Sequence, residues 1–216
     1  MKILNLYAGI GGNRKLWGDD HEITAVEYDE ATAEVYKHYF PNDKVIIADA
    51  HQFLLENFRD FDFIWSSPPC PTHSKLRTTR AGHGEFVFPD MKLYEEIILL
   101  QNFCKTKWVV ENVVPYYEPL ISAKKVDRHL YWSNFKIGDF EPINKPKIEF
   151  ATVPVLSGIY GFENFNFSLK GKNNTLKVLR NCVHPETGKY ILDCAMNVSP
   201  KRKIQSLFDE EYTELL

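Results

Sequence analysis

The stretch WSSPPCPTHS (65–74) sets a single cysteine, Cys70, directly behind two prolines. It follows the apolar run DFDFIW (60–65), inside which a structural thiol would belong; Cys70 sits just past it. Pro68 and Pro69 fix φ near about −65° and remove two N–H donors, so the thiol is held in one place at the lip of a strand. His73, Lys75, Arg77 and Arg80 follow closely and could favour the thiolate, the form that attacks an electrophile. Further on, KWVVENV (107–113) ends in Glu111 and Asn112. A carboxyl group at the end of a Val-Val run, carrying or sharing a proton, can grip the ring nitrogen and exocyclic amine of a base.

A third group of residues asks for a ligand. NLYAGIGGN (5–13) closes the first strand with Gly9, Gly11 and Gly12, which let the backbone turn tightly and approach a bound molecule. The spacing is not the dinucleotide fingerprint, because Arg14 stands where the third glycine would be. Glu27 ends the second strand, where a carboxylate can accept both hydroxyls of a ribose. Asp49 ends the third and could accept from an adenine amine, and Tyr28 offers a face for stacking. Acids at strand ends also serve as helix caps, and the residues alone leave that reading open. No GxxxxGK[ST] occurs and no lysine is placed for phosphates, so the pocket reads as one for a phosphate-free nucleoside such as S-adenosylmethionine.

These residues need a scaffold that brings strand ends to one rim. KILNLYA, EITAVEY, KVIIAD, DFIWSS and KWVVENV read as strands. Between them lie NRKLWGDD, DEATAEVYKHYF with Asp29 as its cap, HQFLLENF and MKLYEEIILLQNFCKT, read as helices. Such alternation demands crossovers, hence an α/β fold with a mostly parallel sheet and helices on both faces. The segment 72–90, with two glycines and several basic residues, reads as a mobile lid. Near residue 135 the texture changes to Pro, Gly, Asn and aromatics, either a small irregular lobe or a loop-rich extension. There KYILDCAM predicts one returning strand, and SPKRKIQSLFDEEYTELL a helix with Ser199 as cap and Pro200 at its first position.

The 216 residues are 44% hydrophobic and 25% charged, which suits one domain, or one with a small appendage. No apolar run of about 18 residues is present to span a membrane. The opening residues lack a signal-peptide pattern, so the expected home is the cytoplasm of a bacterium or a phage-infected cell. None of the four cysteines forms a CxxC pair, and thiols rather than disulfides are expected. Cys182 and His184 resemble half a metal site, but no second ligand pair stands at zinc spacing, so no metal is expected. A net charge of −3 argues against coating nucleic acid by charge alone. Basic clusters at 75–80, 123–129, 170–180 and 201–203 still allow a local groove.

NLYAGIGG, SSPPCPTHS and VVENV, in this order and at these distances, resemble the DNA cytosine C5 methyltransferases; DRHLYWSNF (127–135) is similar to that family's basic strand motif. The resemblance covers residues 1 to about 135 well. It implies a Rossmann-like S-adenosylmethionine-dependent methyltransferase fold over 1–135, a short target-recognition region over 136–192, and a C-terminal helix over 193–216 packing back on the first part. It implies S-adenosylmethionine as cofactor, lined by Tyr7, Ala8, Gly9, Gly11, Gly12, Glu27, Tyr28, Asp49, Ala50 and Pro68. It implies double-stranded DNA as partner, with the target cytosine flipped into the pocket. Cys70 would then attack C6, Glu111 would hold N3 and the exocyclic amine, and Arg128 would steady the flipped base or its phosphate. Ser74, Arg77, Arg80, Lys170, Lys172, Asn173, Asn174, Lys177 and Arg180 are the candidate DNA contacts. Three departures stand out. Pro71 replaces a usual glutamine, the basic motif keeps one clear arginine of two, and the late Gly-Asn-rich element is absent, which leaves a minimal enzyme or one whose pocket is completed by a second subunit. Two alternatives remain: the branch of the family that modifies transfer RNA, and a nucleic-acid-binding module without activity.

Overall fold

The structure, a computed structural model, describes residues 1–75, 88–142, 151–171 and 174–198. Most of the lid with Arg77 and Arg80, the recognition candidates Lys172 and Asn173, and the helix expected from Ser199 onward lie outside the described residues. Five strands, β1 (Lys2–Leu6), β2 (Glu22–Glu27), β3 (Lys44–Ile47), β4 (Phe63–Ser66) and β5 (Lys107–Val113), run parallel. A hairpin of β6 (Lys124–Val126) and β7 (His129–Ser133) completes the sheet, β7 lying antiparallel to β5. The order is β3-β2-β1-β4-β5-β7-β6, so the chain reverses direction between β1 and β4. In open α/β sheets that switch point, at the carboxyl ends of the strands, is where ligands bind. Register carries the point further: Leu6 pairs with Ser66 and Ser66 with Val110, so the next rung brings Tyr7, Ser67 and Glu111 to one line.

One face of the sheet is covered by α2 (Ala50–Asn57) and α3 (Lys92–Phe103), whose Leu54, Leu93, Ile97 and Leu100 pack on Leu4, Leu6, Ile64 and Val110. The other face is covered by α1 (Glu30–Tyr39) together with residues beyond 150. There the sequence-based expectation of an irregular region needs correction. The segment forms α4 (Val153–Ile159), α5 (Thr175–Arg180) and α6 (Pro185–Ala195). Leu156, Tyr160 and Leu179 pack with Ala25 and Tyr36, and Ile191 and Leu192 with Ile3 and Trp65. KYILDCAM is therefore not a returning strand but most of α6, which His184 caps through its side chain and Pro185 opens. The attachment is close. A Cβ on Gly188 would fall 2.2 Å from the Asn13 carbonyl oxygen, and Trp17 Nε1 donates to the Gly188 carbonyl at 3.1 Å. No helix among the described residues is long and apolar enough to cross a membrane.

Candidate active site

Of the three glycines after β1, only Gly9 faces open space; it holds φ +55° with nothing within 4 Å of where a Cβ would be. The Cβ positions of Gly11 and Gly12 point into the protein instead, which leaves their backbone to offer a ligand. A Cβ on Gly11 would strike the Phe40 ring at 2.3 Å, and one on Gly12 would lie 2.6 Å from the Val183 carbonyl oxygen. Their small size serves the packing of α1 and of the C-terminal segment. Ala8 is buried and donates its N–H to the Val26 carbonyl. Glu27 spans the gap between strand ends: one oxygen accepts from Gly9 N at 2.9 Å, the other from Asp29 N at 3.0 Å. Burial raises its pKa, and those two N–H groups oppose the rise. The caps are other residues. Asp29 caps α1, and Asp49 caps α2 by accepting from Gln52 N, so the helix-cap reading holds for Asp49. Asp49 remains exposed at the rim, Ala50 is buried behind it, and Tyr28 is 79% exposed, an aromatic face with nothing on it.

Across the switch point the construction changes. Asn112 Nδ2 donates to the Pro68 carbonyl at 2.9 Å inside the protein, binding the Pro-Pro-Cys turn to β5. The Cys70 carbonyl accepts from His73 N and Ser74 N, both at 3.0 Å, and Ser74 bridges to Pro115, so the residues after the thiol fold back onto the chain after β5. Burial pushes the Cys70 thiol up, the charge of Glu111 adds to this, and Arg128 and Lys177 pull against it. Two cations remote in sequence thus act on the thiol, while Arg77 and Arg80 lie outside the described residues. His73 is buried, its Nδ1 lies 2.6 Å from the Tyr117 hydroxyl, and burial lowers its pKa, so it stays neutral. Glu111 is buried with His129 Nε2 3.5 Å from its Oε1. Tyr131 faces it across the β5–β7 ladder, with a buried hydroxyl that has no hydrogen-bond partner among the described residues.

Arg128 donates through Nη2 to the carbonyls of Arg180 (3.2 Å) and Cys182 (3.3 Å), which staples the end of α5 beside the start of β7. Lys170 and Lys177 are exposed, and the charge of Lys177, in α5, reaches Cys70. Asn174 caps α5 by accepting from Lys177 N, which gives it a structural task beside the base contact expected. The Cys182–His184 pair gathers no metal-holding group among the described residues; Cys182 is buried and His184 Nδ1 accepts from Glu186 N.

Sequence reasoning missed two features. His129 beside Glu111 hides in the basic motif, where attention falls on arginine. Glu96 is fully buried and gathers Tyr7, His51 and Ser66. Its signal was available: Leu93, Ile97 and Leu100 set the apolar stripe of α3, and Glu96 stands within it.

Five parallel strands with an antiparallel β7 set before the edge strand give the α/β fold of S-adenosylmethionine-dependent methyltransferases, and a Gly turn, the Glu27 carboxyl and the exposed Tyr28 ring stand at its strand ends. The residues fit that cofactor: an open glycine, two acids and a stacking face, with no device for phosphate. The chain matches the model of the C-5 cytosine-specific DNA methylase family over residues 1–116 and belongs to that family. It is similar to the Type II methyltransferase M.Bsp6I of Bacillus sp. (strain RFL6), 28% identical over 192 residues that cover 78% of this chain and 56% of that one. It is similar to the mouse tRNA (cytosine(38)-C(5))-methyltransferase, 28% identical over 117 residues, 47% of this chain and 28% of the relative. Among solved structures, Spodoptera frugiperda DNMT2 aligns with 29% identity over 52% of this chain and 35% of that one, at a TM-score of 0.37. The chain thus spans between about a quarter and somewhat over half the length of these proteins.

Proposed function

We propose that the chain methylates C5 of cytosine in double-stranded DNA. The observation that carries this reading is the pairing of a Pro-Pro-held thiol, Cys70, with a buried carboxyl, Glu111, at adjacent strand ends that Asn112 ties together. Bound S-adenosylmethionine supplies an electrophilic methyl group on a sulfonium. The target base enters flipped out of the duplex. Cys70 loses its proton and its sulfur bonds to C6, which breaks the ring's conjugation and makes C5 electron-rich. Glu111 holds N3 and the exocyclic amine and stabilises the charge that builds there, and His129 steadies its carboxyl from the far side. Once C5 carries the methyl, its proton leaves to solvent, the ring electrons return, and the C6–S bond breaks. Arg128 and Lys177 favour the thiolate. The likeness to the Type II methyltransferase covers 78% of the chain, against less than half for the transfer-RNA relatives, and this supports DNA.

A second reading is transfer RNA, favoured by the likeness to the tRNA (cytosine(38)-C(5))-methyltransferases of mouse and of Spodoptera frugiperda, the latter 39% identical over 75 residues. Both likenesses cover less than half of the chain. The test offers methyl-tritiated S-adenosylmethionine with mixed-sequence duplex DNA or with total transfer RNA. Label in DNA cytosine supports the first reading. Label in RNA alone replaces it with the second.

A further inference from the structure

Glu96 is a carboxylate with no exposure, in the middle of α3, at the heart of the apolar face between helix and sheet. Burying a charge there costs stability unless it is fully hydrogen-bonded, and a leucine would pack as well. Three partners reach it from three other elements. Tyr7, just past β1, donates its hydroxyl to Oε1 at 2.6 Å. His51 Nδ1, in the first turn of α2, lies 3.0 Å from the same oxygen. Ser66, the last residue of β4, donates its hydroxyl to Oε2 at 2.6 Å. Each partner leads into a loop of the site. Tyr7 holds φ +54°, a conformation that strains a non-glycine residue, and stands two positions before the open Gly9. His51 follows Asp49 and Ala50. Ser66 stands immediately before the turn that carries Cys70.

We propose that Glu96 is a positioning residue that sets the Gly9 loop, the start of α2 and the Cys70 turn in register, so that methyl donor and nucleophile meet at one distance. It touches neither substrate nor cofactor and acts through its partners. The hydrogen bond from Glu96 pushes the His51 imidazole up, with Glu95 adding to it, which strengthens that arm. Ser67 N also donates to the Leu6 carbonyl at 3.4 Å, a long backbone contact between β1 and the start of the Cys70 turn, so the two loops depend on Glu96 to stay matched beyond that point. The inference rests on the methyltransferase reading above and deepens it.

The test uses Glu96→Gln, Tyr7→Phe and Ser66→Ala in the full chain, each with folding checked by circular dichroism. Two quantities are read: the Kd for S-adenosylmethionine by calorimetry, and the rate at which iodoacetamide alkylates Cys70, followed by peptide mass spectrometry. Glu96→Gln should weaken cofactor binding about tenfold or more and change Cys70 alkylation at least severalfold, as expected for losing bonds to a buried charge. Tyr7→Phe should move chiefly the Kd, and Ser66→Ala chiefly the alkylation rate. Neither should add a further effect in the Glu96→Gln background, because its arm is already slack there. If Glu96→Gln fails to fold, the split between the two single-arm variants decides. Full additivity, or a Kd and alkylation rate both within about twofold of the parent, overturns the proposal. A parent protein that binds no S-adenosylmethionine contradicts the functional reading instead, and the alkylation rates still judge Glu96.

Discussion

On the β1–β3 side of the switch point, the groups offered to a ligand are held by backbone and left open. Glu27 is fixed by two N–H groups, Gly9 faces empty space, and Tyr28 and Asp49 are exposed. On the β4–β5 side they are held by side chains, with Glu111 and Asn112 buried and Cys70 half-buried. Asn112 grips the Pro68 carbonyl, Glu111 lies against His129, and the Cys70 thiol is pushed up by burial. The contrast follows from the tasks. A nucleoside brings its own hydrogen-bond donors and apolar ring, so its side of the rim can wait solvated at little cost. A nucleophile and its acid need fixed geometry and a dry setting before any base arrives, because charge stabilisation works best where water is excluded and no reorganisation is needed.

The comparison predicts that variants on the two sides fail in different ways. Cys70→Ala should abolish methyl transfer while leaving the Kd for S-adenosylmethionine near that of the parent, read by filter binding beside calorimetry. Transfer that survives in this variant would contradict the covalent step. Glu111→Gln should cost about 10²–10³ in single-turnover rate, the range seen when one charge-stabilising group is lost, again with cofactor binding kept. A near-parental rate would remove Glu111 from its role. On the other side, Glu27→Gln must set an amide N–H against the N–H of Gly9 or Asp29. It should weaken cofactor binding about tenfold, with the rate at saturation little changed, as for loss of a charged hydrogen bond. A large fall in that rate with unchanged Kd would erase the distinction between the sides.

The smallest effect concerns pH. With the thiol pKa raised, the thiolate fraction at neutral pH is small and grows with pH. Alkylation of Cys70 in the cofactor-free protein should therefore climb about tenfold per pH unit through the neutral range and not level off below pH 9, the ordinary value for a thiol. Lys177→Gln removes one of the two charges that pull the pKa down and should slow alkylation about twofold at fixed pH, a modest change because the lysine is exposed. A plateau near neutrality would mean that the thiol is already activated in the free protein.

The strand-end rim was legible because its punctuation is local. Gly9 after an apolar run, Pro68-Pro69-Cys70 after another and Glu111 after Val-Val each mark a strand's carboxyl end, and parallel topology brings such ends together. The C-terminal region was misread for a physical reason. Its helices of seven, six and eleven residues are short, the first and last contain proline and glycine, and all draw their stability from packing on the sheet rather than from propensity. For α6 a cue existed in His184-Pro185-Glu186, a cap, a first-position proline and an acid in the first turn. The inward tasks of Gly11 and Gly12 were hidden because their neighbours, Phe40 and Val183, are remote in sequence. Arg128, just before β7, and Lys177, in α5, also act on Cys70 from positions remote in sequence, where proximity pointed to residues after the thiol.

The most direct measurement expresses the chain in a bacterium lacking cytosine methylation and bisulfite-sequences its genome, beside a Cys70→Ala control. A genome presents nearly every short site at once. Protected cytosines in one sequence context, absent from the control, are the predicted result and join DNA, cytosine and the thiol in one observation. Soluble protein that leaves every cytosine unprotected, or protection that persists in the control, would contradict the account.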